Sequence, residues 1–502
     1  MSDLLDRDRK FLWHPYTQEK IAPLPVPIVR AKGVWLETED GRKLLDGVSS
    51  WWVNTHGHSH PYLNEALRKQ AETLEHVIFA GFTHEPAIRF AEKLVGVLPA
   101  GLTRIFYSDN GSTAVEVALK MAFQYWRNKG EERRTFIALE HAYHGDTIGA
   151  MSASDDSAFT APFKDLLFKV LRAEAPYALH CERCGVPSPE SRVPGSKTQP
   201  PGPKSQAVES EPQAIAAGSE KTSEPRAIAI GSEKTSEPRA IATGSTVTVK
   251  KRCNISCAES LEDLLKDHHK ETAAVIIEPM LQGAGGMIVW EPEYLKRIRE
   301  LCDKYGVLLI ADEVLTGFGR TGKMFACDHA GISPDIICLS KALTAGYMPL
   351  GATAATEDIF NAFYDDDRLK TFFHGHSYCA NPLACALGIA NLELFESENT
   401  LGKIAFINKK FRAFEPKLSS FDCVADVRII GGVLAFELKV EEGGYLANIG
   451  QTLYQEFLSR DIVLRPLGNV LLFMPPFVIE ETEIDWVLSE ISEVLEDLTD
   501  RK

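Results

Sequence analysis

The sequence predicts an α/β protein whose main part is a largely parallel sheet covered by helices on both faces. Three observations carry that expectation. The runs AAVIIEPM, VLLIADEV and DIICLSKAL are short and almost continuously apolar, as strands buried on both faces must be. Segments of helical spacing such as PEYLKRIRELCDKYG lie between them, which parallel connections require. At 502 residues the chain exceeds what one ordinary core holds, so a second, smaller α+β domain is expected.

The elements follow in order. The stretch IVRAKGVWLETEDGRKLLDGVSSWW alternates apolar and polar residues on both sides of Asp40-Gly41, which signals a hairpin. After His60-Pro61, YLNEALRKQAETLEHV and then AIRFAEKLVGVL have helical spacing. RIFYSD reads as a strand feeding the helix TAVEVALKMAFQYWRNKG, and TFIALE as a strand feeding a polar loop. From about Asn381 onward, helices alternate with a few strands, as a smaller α+β unit would. Between about 185 and 248 the chain is rich in Pro, Ser, Gly, Glu and Lys. That stretch repeats a 13-residue unit, EPQAIAAGSEKTS, then EPRAIAIGSEKTS, then EPRAIATGS. So short and polar an array cannot bury a core, and a disordered surface insertion is expected.

Composition narrows the function classes. A formal net charge of -16 opposes binding to a phosphate backbone, so no nucleic-acid partner is expected. No run of about 18 apolar residues is present, so no membrane span is expected. The first residues, MSDLLDRDRKFLWHPY, lack the apolar stretch of a secretory signal. Ten cysteines, mostly in apolar contexts, fit a reduced compartment, and the expected location is the cytoplasm. Two pairs flank the insertion: Cys181 with Cys184, and Cys253 with Cys257. Their spacing admits a structural zinc; reduced thiols without metal are the reading adopted.

The chemistry concentrates at strand ends. VLLIADEV ends in Asp312 and DIICLSKAL carries Lys341 just past its strand. In an open parallel sheet, ligands bind at those carboxyl ends. After RIFYSD, the residues Asn110-Gly111-Ser112-Thr113 open a helix whose free N–H groups and dipole favour an anion. The loop from His141 to Asp146, with Tyr143 and Gly145, offers a ring on which a flat ligand can stack. An anion site, an aromatic platform, a carboxylate and a lysine are what pyridoxal phosphate needs. The carboxylate keeps its pyridine nitrogen protonated, and the lysine holds it covalently and moves the substrate proton.

The run LIADEVLTGFGRTGKMFACDHAGISPDIICLSKALTAGYMPLGA resembles the signature of the class III aminotransferases of fold type I, and the likeness extends over nearly the whole chain outside the insertion. The resemblance implies pyridoxal 5'-phosphate as cofactor and a large domain at 66–374. It also implies a small domain built from 1–65 and 375–502. By the same resemblance Asp312 pairs with the pyridine nitrogen, Val314 covers the ring face opposite Tyr143, and Gln282 lies near the phenolic oxygen. Lys341 is the covalent anchor, while Gly111 and Ser112 hold the phosphate. The family is dimeric, which gives His376 and Ser377, with Gly375, a role across the interface.

Within the family, HPYTQ and DGVSSWWVNTHGHSHP resemble the branch that aminates 8-amino-7-oxononanoate in biotin synthesis. That implies a substrate pocket lined by Tyr16, Trp51, Trp52 and Tyr143, with Lys341 and Gly375 beside the reacting end. Arg465 of VLRPLGNV would bind the far carboxylate of the nine-carbon keto acid. Many members have Gly-Pro-Thr where this chain has Gly375-His376-Ser377, a form similar to members that use lysine as amino donor. S-adenosylmethionine is the expected donor and lysine the alternative. Rival readings are a general ω-amino-acid:pyruvate aminotransferase, a mutase or decarboxylase on the same fold, and a non-enzymatic scaffold using the repeats.

Overall fold

The computed structural model describes residues 3–177, 255–441 and 443–500. The repeat segment and Cys181, Cys184 and Cys253 therefore lie outside the described residues. The main layer is a seven-stranded sheet, in spatial order Leu102–Ser108, Gly351–Thr356, Ile336–Leu339, Leu308–Asp312, Thr272–Ile277, Thr135–Leu139 and Leu171–Ala173. All strands run parallel except Gly351–Thr356, which is antiparallel to both neighbours. The sequence pattern does not mark that strand, because GATAAT has neither bulky apolar residues nor alternation. Thr272–Ile277 and Leu308–Asp312 are buried at every position, which is why they lack a polar face.

Helices cover both sides. Gly111–Asn128 buries Ala114, Val115, Ala118 and Ala122, small side chains that let it lie close against the sheet. Pro292–Tyr305 begins with proline in its first turn and ends at Gly306, whose φ of 62° suits a left-handed cap. The helix after His60-Pro61 is shorter than its spacing suggested. It spans Pro61–Ala71 and the chain leaves it before the second half of the apolar pattern. His60 caps it by accepting a hydrogen bond from the Tyr62 N–H.

The hairpin at Asp40-Gly41 is present. Trp35–Thr38 pairs antiparallel with Lys43–Asp46, and Gly41 takes a φ of 86° at the turn. Lys43–Asp46 pairs on its other side, in parallel, with Ile462–Val463 from near the far end of the chain. The N-terminal strands are thereby joined to the C-terminal region in one four-stranded sheet. A separate three-stranded antiparallel sheet is built from Val424–Ile430, Val433–Leu438 and Val470–Phe473. No helix among the described residues is long and apolar enough to cross a membrane.

Candidate active site

Register puts the chemistry on one edge. Ala311 lies opposite Ile277 and Asp312 opposite Cys338, so three parallel strands end level with one another. The residues at or just past those ends are Glu278, Asp312 and Lys341. All three line a cavity of about 430 Å³, together with Gly111, Ser112, Tyr143, Val314 and Trp52. Such a volume suits a small cofactor with part of a substrate.

Asp312 is buried, and its Oδ2 accepts a hydrogen bond from His144 Nδ1 at 2.7 Å. Its Oδ1 accepts one from the Val314 N–H at 3.1 Å. The second ring nitrogen of His144 is buried without a partner among the described residues. Lys341 adopts a left-handed φ of 46°, and its Nζ lies 4.8 Å from the centroid of the Trp52 ring. Desolvation pushes the Lys341 ammonium down to about 8, against the opposing pull of Asp312 and Glu278. A lysine brought this close to neutral pH is neutral in a far larger fraction than a free lysine, and the neutral amine is the nucleophile and proton acceptor.

The helix that opens at Gly111 has a complete capping box. Asn110 Oδ1 accepts the Thr113 N–H at 3.0 Å, and Thr113 Oγ1 accepts the Asn110 N–H at 3.1 Å. That arrangement leaves the first-turn N–H groups of Gly111 and Ser112 directed outward, as helix geometry requires. The glycines here are sterically obligatory. A Cβ on Gly111 would stand 2.6 Å from Val314 Cγ1, and one on Gly145 would stand 2.1 Å from Ser112 Oγ. Anion donors, a carboxylate, a lysine, the Tyr143 ring and Val314 share one cavity, so the residues present fit pyridoxal phosphate. Gly145→Ala combines that clash with a strained φ of 127°. It is expected to weaken cofactor binding by about tenfold or more, read from the bound-cofactor absorbance.

A second wall lies outside the cavity lining and meets it at Tyr143. The Tyr16 hydroxyl is 3.3 Å from the Tyr143 hydroxyl and donates to Asp146. Burial and then the Asp146 hydrogen bond push the Tyr16 phenol up to about 12, keeping it a donor. The Tyr16 ring lies 5.5 Å from Trp51, and the Arg465 guanidinium sits 4.4 Å from the Trp51 ring centroid. Ser49, Ser50, Trp51 and Trp52 all have positive φ. One turn of left-handed backbone built from non-glycine residues costs about 1–2 kcal/mol per residue, so the surrounding structure must hold it.

Not every expected residue reaches the cavity. Gln282 is buried but is absent from the lining; its amide donates to the Glu140 carbonyl at 2.8 Å. No spacing rule reveals that backbone contact, and the Gln282 Oε1 is buried without a partner among the described residues. Gly375, His376 and Ser377 are also absent from the lining, although His376 Nε2 comes within 4.0 Å of Asp109, a lining residue. Cys257 is buried, and no group of three or more His, Cys, Asp or Glu among the described residues could hold a metal ion.

Two contributors went unassigned in the sequence. Glu278 accepts the Tyr143 N–H at 2.9 Å and the Gly283 N–H at 2.9 Å, tying two loops together under the cavity. Burial pushes its carboxyl up to about 7, with Asp312 adding to the rise and His144 opposing it. Its signal was available, since it follows its strand as directly as Asp312 closes its own. The His144 contact with Asp312 spans 168 residues and leaves no local trace.

The family model "Aminotransferase class-III" matches residues 16–189 and 221–495. The chain is similar to adenosylmethionine-8-amino-7-oxononanoate aminotransferases, 43% identical to that of Synechococcus elongatus, covering 97% of this chain and 99% of the relative. It is 40% identical to that of Geobacter sulfurreducens, covering 99% and 98%. The crystal structure of the Methanocaldococcus jannaschii enzyme of that name superposes with a TM-score of 0.81 at 33% identity, covering 98% of each chain. An omega transaminase from Pseudomonas jessenii in complex with PMP superposes with a TM-score of 0.81 at 25% identity, covering 99% of each. The chain belongs to the class III aminotransferases, a family of pyridoxal-phosphate enzymes.

Proposed function

We propose that this enzyme transfers an amino group to 8-amino-7-oxononanoate, forming 7,8-diaminononanoate for biotin synthesis in the cytoplasm, with S-adenosylmethionine as donor. The observation that carries this reading is the pairing of Arg465 with Trp51 at the end of an aromatic wall. Arg465 has an aromatic face beneath it and no carboxylate partner among the described residues, so its guanidinium remains available for an incoming carboxylate. Trp52 lies against Lys341, and Trp51 lies against both Tyr16 and Arg465; these apolar surfaces suit an alkyl chain at roughly 25 cal/mol per Å² buried. The names of the full-length relatives support the same substrate.

In this reading the cofactor, once bound, supplies the electron sink that makes the proton beside the substrate nitrogen acidic. Asp312 would hold the protonated pyridine nitrogen, with His144 fixing the carboxylate. Gly111 and Ser112 would hold the phosphate, and Tyr143 and Val314 the ring. Lys341 would anchor the cofactor between turnovers. Its Nζ would also take the proton from the donor carbon, hold it, and return it to the reacting atoms of the substrate and cofactor as the amino group is transferred. Trp52 screens that amine from water on one side. The keto acid then enters the same site, steered by Arg465, and Lys341 moves a proton in the opposite sense.

A homodimer with sites at the interface completes the proposal. The loop holding His376 and Ser377 does not line its own cavity, and the flanking Phe373 and Tyr378 are exposed, as are Phe11, Trp13 and Phe82. Covering those rings with a second copy would bring the loop to the neighbouring phosphate site. A small domain drawn from both ends of the chain is supported by the pairing of Lys43–Asp46 with Ile462–Val463.

Loading the enzyme with amino groups from S-adenosylmethionine or lysine, then titrating 8-amino-7-oxononanoate, tests the assignment. Return of the lysine-linked cofactor absorbance is the expected result, and the donor that permits loading settles the amino source. Response to simple ω-amines and pyruvate alone would move the substrate to the general ω-aminotransferase class. In the cofactor-free protein, amine-selective labelling of Lys341 should rise with an inflection near pH 8 rather than 10.5. Burial disfavours the ammonium, so the reactive neutral amine appears at lower pH.

A further inference from the structure

We infer that Asp46 is a positioning residue for substrate recognition, anchoring the left-handed turn that presents Trp51 and Trp52 and setting it in register with Arg465. The inference rests on the substrate reading above. Asp46 is almost wholly buried, and its carboxylate takes four hydrogen bonds. Oδ1 accepts the Val48 N–H at 3.2 Å and the Ser50 N–H at 2.9 Å. Oδ2 accepts the Ser50 hydroxyl at 2.8 Å and His58 Nε2 at 2.9 Å. Burial works to raise this carboxyl, yet the His58 and Ser50 hydrogen bonds outweigh it and hold the group below its ordinary value.

Those partners are the residues that need restraint. Ser49 to Trp52 form the strained turn, and Ser50 lies at φ 47° and ψ 54°. Ser50 is bound through both its N–H and its hydroxyl. The Ser49 hydroxyl ties the same turn to the Met474 carbonyl at 2.6 Å. The turn then places Trp52 against Lys341 and Trp51 under Arg465. The backbone of Asp46 also helps place the cation. It pairs with Val463 across the parallel strands, two residues before Arg465, and the neighbouring Gly47 N–H donates to the Val463 carbonyl at 3.0 Å. The Asp46 carboxylate thus holds the turn that carries the aromatic wall, while its backbone pairing sets that turn in register with the strand leading to the guanidinium.

The test is Asp46→Asn in the cofactor-loaded full-length enzyme, which keeps the shape and removes the charge that holds His58 and Ser50. The expected result is a rise of about tenfold in KM for 8-amino-7-oxononanoate, with kcat and the donor half-reaction changed by less than about threefold. Near-ultraviolet circular dichroism should lose indole signal, and the loss should shrink when Trp51→Phe carries the same change. A folded, cofactor-loaded Asp46→Asn enzyme with wild-type KM and wild-type dichroism overturns the inference. Should that protein fail to fold, Ser50→Ala removes one bond of the anchor. A rise of about threefold in KM with altered dichroism supports the role, and neither change overturns it. The wild-type enzyme run alongside keeps the two readings apart. If it ignores the keto acid, the substrate assignment fails, and the anchor stands or falls on the dichroism alone.

Discussion

Replacing Lys341 with alanine is expected to lower kcat by about a thousandfold or more while leaving the fold and the cavity in place. In the proposed mechanism two functions would leave together: the covalent anchor and the group that moves the proton at the donor carbon. Positioned proton transfer alone is worth about 10² to 10⁴ in rate, and among the described residues no other lysine lines the cavity. The fold should survive because the lysine is a burden to it. Its value near 8 means that, at neutral pH, the native state holds an ammonium where burial disfavours one. Between about pH 8 and 10.5 the unfolded chain binds this proton and the folded chain does not, so the group makes cofactor-free stability rise with pH there. The alanine variant should lose that rise. Single-turnover absorbance with the donor checks the rate, and thermal unfolding across the pH window checks the linkage. Turnover at a wild-type rate would remove Lys341 from the mechanism.

Arg465→Ala is the second large effect, and it should separate the two substrates. A charge-assisted bond to a carboxylate is worth about 1.5–3 kcal/mol, so KM for the keto acid should rise roughly ten- to hundredfold. Arg465→Lys should recover only part, because a point charge lacks the planar fork that meets both oxygens. The change should fall mainly on the keto-acid half-reaction, since the proposal assigns Arg465 to the keto acid's far carboxylate. Initial rates against keto-acid concentration, at saturating donor, give the comparison. A KM unmoved by Arg465→Ala would show that the carboxylate is held elsewhere and would weaken the nine-carbon substrate reading.

Much of the site was legible because parallel sheets write their active edge into the sequence. Asp312 and Lys341 follow apolar runs directly, and Gly111-Ser112 follows a strand and opens a helix. All four reach one cavity. Glu278 obeys the same rule and could have been named by it. Gln282 shows where the rule gives out: a residue two positions along a short strand can turn to a backbone carbonyl, and only packing decides. The pairing of His144 with Asp312 and the placement of the Gly375 to Ser377 loop depend on distant strands and loops.

The double tryptophan separates the two sources most clearly. Adjacent large aromatic residues ordinarily point to opposite sides or fill a core, and nothing in SSWW announces a left-handed turn. The sequence alone determined the α/β class, the hairpin at Asp40-Gly41, the strand-end chemistry and the family, because each is carried by periodicity, glycine tolerance or a motif of neighbouring residues. Tertiary structure decided how Trp51, Trp52 and Arg465 come together. Four residues with positive φ persist only where distant partners outweigh their strain. Here the strand Lys43–Asp46 supplies the buried Asp46 carboxylate, and its pairing with Ile462–Val463 brings in the guanidinium.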